Sequence, residues 1–94
     1  MSIVIIGGNE RMERRYSEVC AGYGCKAKVY TKESSVRSRV GCPDLLIVFT
    51  NTVSHKMLAA AVREAKKNGT EILHVHSSSI AALSSALQER CQPA

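Results

Sequence analysis

The chain has 94 residues, 45% of them hydrophobic and 22% charged, and its net charge of +5 favours anionic partners such as nucleic acid or a carboxylate-bearing cofactor. This length supports one small domain over residues 1–91 with a frayed tail at 92–94, and a homodimer would help so small a core. No apolar run approaches the roughly 20 residues of a membrane span, and the start lacks the basic region of a secretory signal, so a cytoplasmic location is expected.

The first third of the chain predicts a strand, a helix and a second strand. Residues 3–6 are an unbroken β-branched run, which is typical of a central parallel strand covered on both faces. Gly7 and Gly8 end this run, and Asn9 can cap the helix that follows. Lys26–Thr31 alternates between polar and apolar residues, which favours an edge strand. The intervening helix carries an apolar stripe at helical spacing: Met12, Tyr16, Val19, Cys20 and Tyr23.

The rest of the chain predicts a crossover helix and then two more rounds of a strand followed by a helix. The segment Lys32–Pro43 is close to the shortest parallel crossover, and we predict one short helix in it. Asp44–Phe49 is a second apolar strand, and a helix from Val53 to about residue 68 follows a turn and cap at residues 50–52. Glu71–His76 predicts the fourth strand, after which Ser77, Ser78 and Ser79 can cap the last helix.

Four strand–helix rounds predict an α/β fold with a parallel four-stranded sheet between two layers of helices. Right-handed crossovers and the adjacency of consecutive strands favour the strand order 2-1-3-4. This order places the two most apolar strands, the first and the third, side by side in the centre of the sheet.

Binding groups in such a sheet are expected at the carboxyl ends of the strands, where helix N-termini present unpaired N–H groups. The serine run most often means helix capping, and an anion-binding loop is the alternative. We therefore predict an anionic small ligand at this edge. The ligand-binding candidates are Gly7, Gly8, Asn9, Thr50, Asn51, Ser77, Ser78 and Ser79, and the candidate metal or haem ligands are His55 and His76.

Several activities are disfavoured by the residues present. Asn9 stands where a dinucleotide-binding loop has its second glycine. The ends of the first and third strands lack the carboxylates of a phosphoacceptor, and no acid orients a histidine beside a serine for catalysis. The four cysteines form no CxxC pair, which makes a zinc site a poor fit. A protein without enzymatic activity is the favoured interpretation.

Two stretches, IVIIGGNERMERRY and DLLIVFTNTVSHKMLAAAVREAKKNGTEILHVHSSSIAALSSAL, resemble the small bacterial domain of unknown function 2325. The resemblance lies in the Gly-Gly after the first strand, in Val53-Ser54-His55 and in the serine run. It implies a Rossmann-like or receiver-like domain without receiver chemistry. One departure is His76, where the family pattern has arginine, so an anion role there is in doubt and a metal role is easier.

The resemblance also implies haem as a candidate ligand. His55 or His76 would be the axial ligand, apolar walls would hold the macrocycle, and Arg and Lys would pair with the propionates. The leading hypothesis is therefore a ligand-binding or sensing domain, linked to haem or a divalent metal and working as a homodimer. A small hydrolase and a protein-interaction domain without a small ligand are further alternatives.

A nucleic-acid-associated accessory domain is the second hypothesis, because the chain has an excess of basic residues. No helix-turn-helix pattern and no aromatic cluster for base stacking accompanies this excess. The basic residues that motivate the hypothesis are Arg11, Arg14, Arg15, Lys26, Lys28, Arg37 and Arg39.

Overall fold

The structure, a computed structural model, describes residues 1–31 and 43–90. The helix predicted between the second and third strands falls mainly on residues 32–42, outside the described part, as does the predicted tail. None of the described helices is long and apolar enough to cross a membrane. The elements are β1 (Ser2–Ile6), a 3-10 turn (Glu10–Met12), α1 (Glu13–Gly22), β2 (Lys26–Tyr30), β3 (Leu45–Phe49), α2 (His55–Asn68), β4 (Glu71–Val75) and α3 (Ile80–Arg90).

The four strands form one parallel sheet in the order β2-β1-β3-β4, which confirms the predicted fold class and strand order. All of β3 and residues 3–6 of β1 are buried, as central strands covered on both faces should be. Strand β2 lies at the edge, where Lys26 and Lys28 are exposed.

Described helices cover both faces of the sheet. On one face, which we call the α1–α3 face, Ile5 and Ile47 pack with Tyr16 of α1 and Leu87 of α3. The opposite face, here the α2 face, is covered by α2 through Met57, Ala61 and Ala65, which pack with Val4, Ile6, Leu46 and Val48. The result is the predicted three-layer arrangement.

Alternation along the edge strands assigns their side chains to these faces. Lys28 is in register with Val4, and Tyr30 with Ile6, so Lys26, Lys28 and Tyr30 point to the α2 face. In β4, His74 is in register with Val48 and lies on the same face. The α2 face therefore carries both edge lysines and His74.

Helix ends differ from the prediction at two places. Asn9 caps a 3-10 turn, because its Oδ1 accepts from the Arg11 N–H at 2.9 Å while its backbone oxygen accepts from Met12 at 2.9 Å, and α1 begins only at Glu13. Helix α2 begins at His55 because its cap is Ser54, whose Oγ accepts from the Met57 N–H at 3.1 Å.

Candidate functional site

The glycine pair after β1 is held against the loop that follows β3. The Gly8 N–H donates to Thr52 Oγ1 at 2.7 Å, and the same hydroxyl donates to the Phe49 carbonyl at 3.1 Å. The Gly7 N–H donates to the carbonyl of Tyr30 at 2.9 Å, which continues the pairing of β1 with β2. Both glycine N–H groups are therefore engaged within the protein.

The side chain of Tyr16 connects two loops at this edge of the sheet. Its hydroxyl donates to the Ser78 carbonyl at 2.7 Å and accepts from the Asn9 N–H at 3.2 Å. The side chain is fully buried, and its ring contacts Phe49 with the centroids 5.2 Å apart. Tyr16 thus joins the loop after β1 to the loop after β4 through partly buried hydrogen bonds.

The serine run after β4 caps α3. Ser79 Oγ accepts from the Ala82 N–H at 3.1 Å, and Ser77 Oγ accepts from the Ser79 N–H at 3.3 Å. The serine run therefore has the capping role that it predicts, for which anion binding is the alternative. A ligand at these hydroxyls would have to share them with the helix N-terminus.

Residues 50 and 51 extend the pairing of β3 with β4 beyond the strands. The backbone N–H of Thr50 donates to the Val75 carbonyl at 2.9 Å, and that of Asn51 to the His76 carbonyl at 3.2 Å. The side chain of Asn51 is exposed and Thr50 is half-buried. The ends of β1, β3 and β4 are thus directly connected, and Asn51 offers an exposed amide there.

All three histidines are exposed, and they occupy different surroundings. His55 is the first residue of α2, His74 lies within β4, and His76 follows the end of β4. Among residues 1–31 and 43–90, no three His, Cys, Asp or Glu side chains come together in a group that could hold a metal ion. A bare divalent ion would need more ligands than this part of the chain gathers.

A solvent-open groove of about 600 Å³ runs along α2, and we call it the α2 groove. His55 lies near its N-terminal end, and Arg63 and Lys66 are about 12 and 16 Å further along the helix at 1.5 Å per residue. The side chains between them are apolar. The lining residues within the described part of the chain are His55, Leu58, Ala59, Val62, Arg63 and Lys66.

A family model described as "Uncharacterized protein conserved in bacteria (DUF2325)" matches residues 2–90. The chain belongs to this family. Comparisons with curated proteins and with solved structures gave no match. The family description names neither a ligand nor a reaction, and the function of a domain resides in the geometry and chemistry of its site.

Two features of the DUF2325 domain were not predicted from its sequence. Tyr16 was assigned to an apolar stripe, and its helical spacing gives no sign of the two loops that its hydroxyl joins. Leu58 and Val62 share the helical spacing of the buried residues Met57 and Ala61, which predicts a core position, yet both are half-buried and line the α2 groove. The groove could have been inferred from the sequence of α2, because its apolar face is wider than a contact with the sheet alone requires.

Proposed function

We propose that this chain is a non-enzymatic ligand-binding domain that binds haem in the α2 groove, with His55 as the axial ligand. The observation that carries the proposal is the composition of the groove. It combines an imidazole at one end, apolar side chains in the middle and two cations at the other end. These are the three kinds of contact that a haem requires from its protein.

The residues of the groove fit this group part by part. Leu58, Ala59 and Val62 would contact the macrocycle, and Arg63 and Lys66 would pair with the propionates. The porphyrin itself supplies four ligands to the iron, so one imidazole suffices where a bare ion would need several protein ligands. Bound haem would supply an iron centre for redox or gas sensing.

The groove also motivates the proposal of a homodimer. Among the described residues it is lined by α2 alone and is open to solvent on its outer side. A second copy that contacts only the apolar middle of the groove would enclose the exposed face of the macrocycle and remove further apolar surface from water, while the cations outside the groove stay exposed. Because a small domain buries a small fraction of its surface, this additional buried area would contribute noticeably to its stability.

The arrangement of the sheet edge supports binding more than catalysis. Ser54, Ser77 and Ser79 hydroxyls each accept from an N–H at a helix N-terminus. Over residues 1–31 and 43–90 we find no hydrogen bond from a histidine to a serine or a carboxylate, which is the contact that activates a nucleophile. The proposal therefore assigns no reaction to this domain.

Replacing His55 by Ala should abolish axial ligation of added haem. We expect wild-type protein titrated with ferric haem to give a saturable, shifted Soret band, and H55A to give the spectrum of unligated haem. His55 is exposed, so the variant should fold normally. The matched controls are H74A and H76A, which remove imidazoles that are also exposed but lie outside the groove and should keep the wild-type band. A wild-type spectrum from H55A, or no saturable binding by wild type, would contradict the proposal.

The propionate contacts give a second prediction. Arg63→Gln and Lys66→Gln should each weaken haem binding by a factor of about 1.4 to 5, because an exposed charge pair contributes about 0.2–1 kcal/mol. Lys67→Gln is the control, since Lys67 is an exposed cation of the same helix that does not line the groove. Affinities from the Soret titration check this. Equal losses in all three variants would indicate a general charge effect instead of specific contacts.

A further inference from the structure

Charge is divided unequally between the two sides of the sheet. In the part of the chain that the structure describes, the α2 side has two acids, Glu64 on α2 and Asp44 just before β3, and six exposed basic side chains, none of which forms an ion pair there. The six are Lys26, Lys28, Lys56, Arg63, Lys66 and Lys67.

The opposite side is close to neutral. Over residues 1–31 and 43–90, the elements of the α1–α3 side carry four arginines and five glutamates. Two of these arginines form ion pairs, Arg14 with Glu18 at 3.3 Å and Arg90 with Glu71. The excess of positive charge on the described residues is therefore located on the α2 side.

This division changes the set of residues on which a nucleic-acid hypothesis depends. Arg11, Arg14 and Arg15 belong to the neutral side, whereas Lys26 and Lys28 belong to the α2 side. Arg37 and Arg39 lie outside the described residues. The cations that join the edge lysines come from α2 and were not in the predicted set.

We infer that the α2 side of the sheet is a binding surface for the phosphate backbone of single-stranded nucleic acid, a role beyond the haem proposal. The α2 cations extend from Lys56 to Lys67, about 16 Å along the helix at 1.5 Å per residue. A row of cations of this length complements a polymer with a regular series of negative charges. Four of the six cations lie outside the α2 groove, so the surface does not depend on haem.

The chemistry of these side chains favours phosphate over the carboxylates of an acidic protein. Five of the six are lysines, which bind phosphate as compact point charges, whereas paired recognition of carboxylates favours the planar fork of arginine. Tyr30, on the same face, is the one aromatic there among the described residues, and it is half-buried. With so little aromatic surface for base stacking, binding should follow the backbone and show little sequence preference.

The test compares two triple variants that remove the same net charge. Lys28→Gln/Lys56→Gln/Lys67→Gln changes the α2 side outside the groove, and Arg11→Gln/Arg14→Gln/Arg15→Gln changes the opposite side. Binding of a labelled oligothymidine is followed by fluorescence anisotropy over a range of salt concentrations. At low salt we expect the lysine variant to bind about tenfold more weakly and its log–log salt slope to fall by about 2, at about 0.7 per lost phosphate contact.

The arginine variant should keep wild-type affinity within about twofold at low salt. Three results would overturn the inference: no binding by wild type at low salt, equal losses in both triple variants, or binding of polyglutamate as tight as that of the oligonucleotide. Haem spectra of the lysine variant should stay unchanged, because Lys28, Lys56 and Lys67 do not line the groove. The inference and the haem proposal can therefore fail separately.

Discussion

Gly7→Ala should destabilise the domain by about 3–5 kcal/mol, the largest effect that we expect from a single methyl group in this protein. Gly7 has φ +93°, a conformation that residues with a Cβ rarely adopt. A Cβ there would come within 2.6 Å of Val53 Cγ1, 2.8 Å of Thr52 Oγ1 and 3.2 Å of the Phe49 carbonyl oxygen. Backbone strain and overpacking therefore act together, and moving Thr52 would disturb its bond to Gly8.

Substitutions at two other glycines distinguish the cost of backbone strain from the cost of overpacking. Gly69, at the end of α2, has φ +70° and nothing within 4 Å of the place that a methyl group would occupy, so Gly69→Ala should cost only the strain, about 1 kcal/mol. Gly22, in the last turn of α1, has neither feature, and Gly22→Ala should stabilise by up to about 1 kcal/mol. Urea unfolding midpoints at constant slope measure all three variants. A cost for Gly7→Ala no larger than that for Gly69→Ala would show that the loop relaxes freely.

Tyr16→Phe should cost about 1–3 kcal/mol while leaving the ring in place. The hydroxyl satisfies two backbone groups at once, the Asn9 N–H and the Ser78 carbonyl, and the surrounding ring is fully buried. Removing the oxygen leaves both groups without this partner and uncouples the loop after β1 from the loop after β4. Urea unfolding should report the loss, and hydrogen exchange at the Asn9 amide should become faster.

Tyr23→Phe is the matched control for this prediction. Tyr23 follows α1, is half-buried in the same core cluster, and makes no side-chain hydrogen bond within the described residues. We expect its loss of stability to stay below about 0.5 kcal/mol and the exchange of the Asn9 amide to keep its wild-type rate. Equal losses in the two variants would mean that the Tyr16 hydroxyl contributes no more than an ordinary tyrosine oxygen.

The sequence predicts some contacts of the candidate site and misses others. The meeting of the loops after β1, β3 and β4 follows from parallel strands, whose carboxyl ends share one edge. The capping by Ser77 and Ser79 was foreseen because side-chain capping depends on residues within one turn. The contact of Thr52 with Gly8 was not foreseen, since a hydrogen bond between residues 44 positions apart leaves no local pattern.

The sequence by itself determined the fold class, the strand order and the edge position of β2. These follow from local periodicity and from the fixed handedness of crossovers, both of which can be read along the chain. Only the tertiary structure decided that Tyr16 joins two loops, that Leu58 and Val62 line a groove beside His55, and that the positive charge collects on the α2 side. The first and third of these properties depend on which residues far apart in the chain become neighbours, and the second depends on how deeply a helix packs against the sheet. The spacing of side chains along the sequence predicts neither of these.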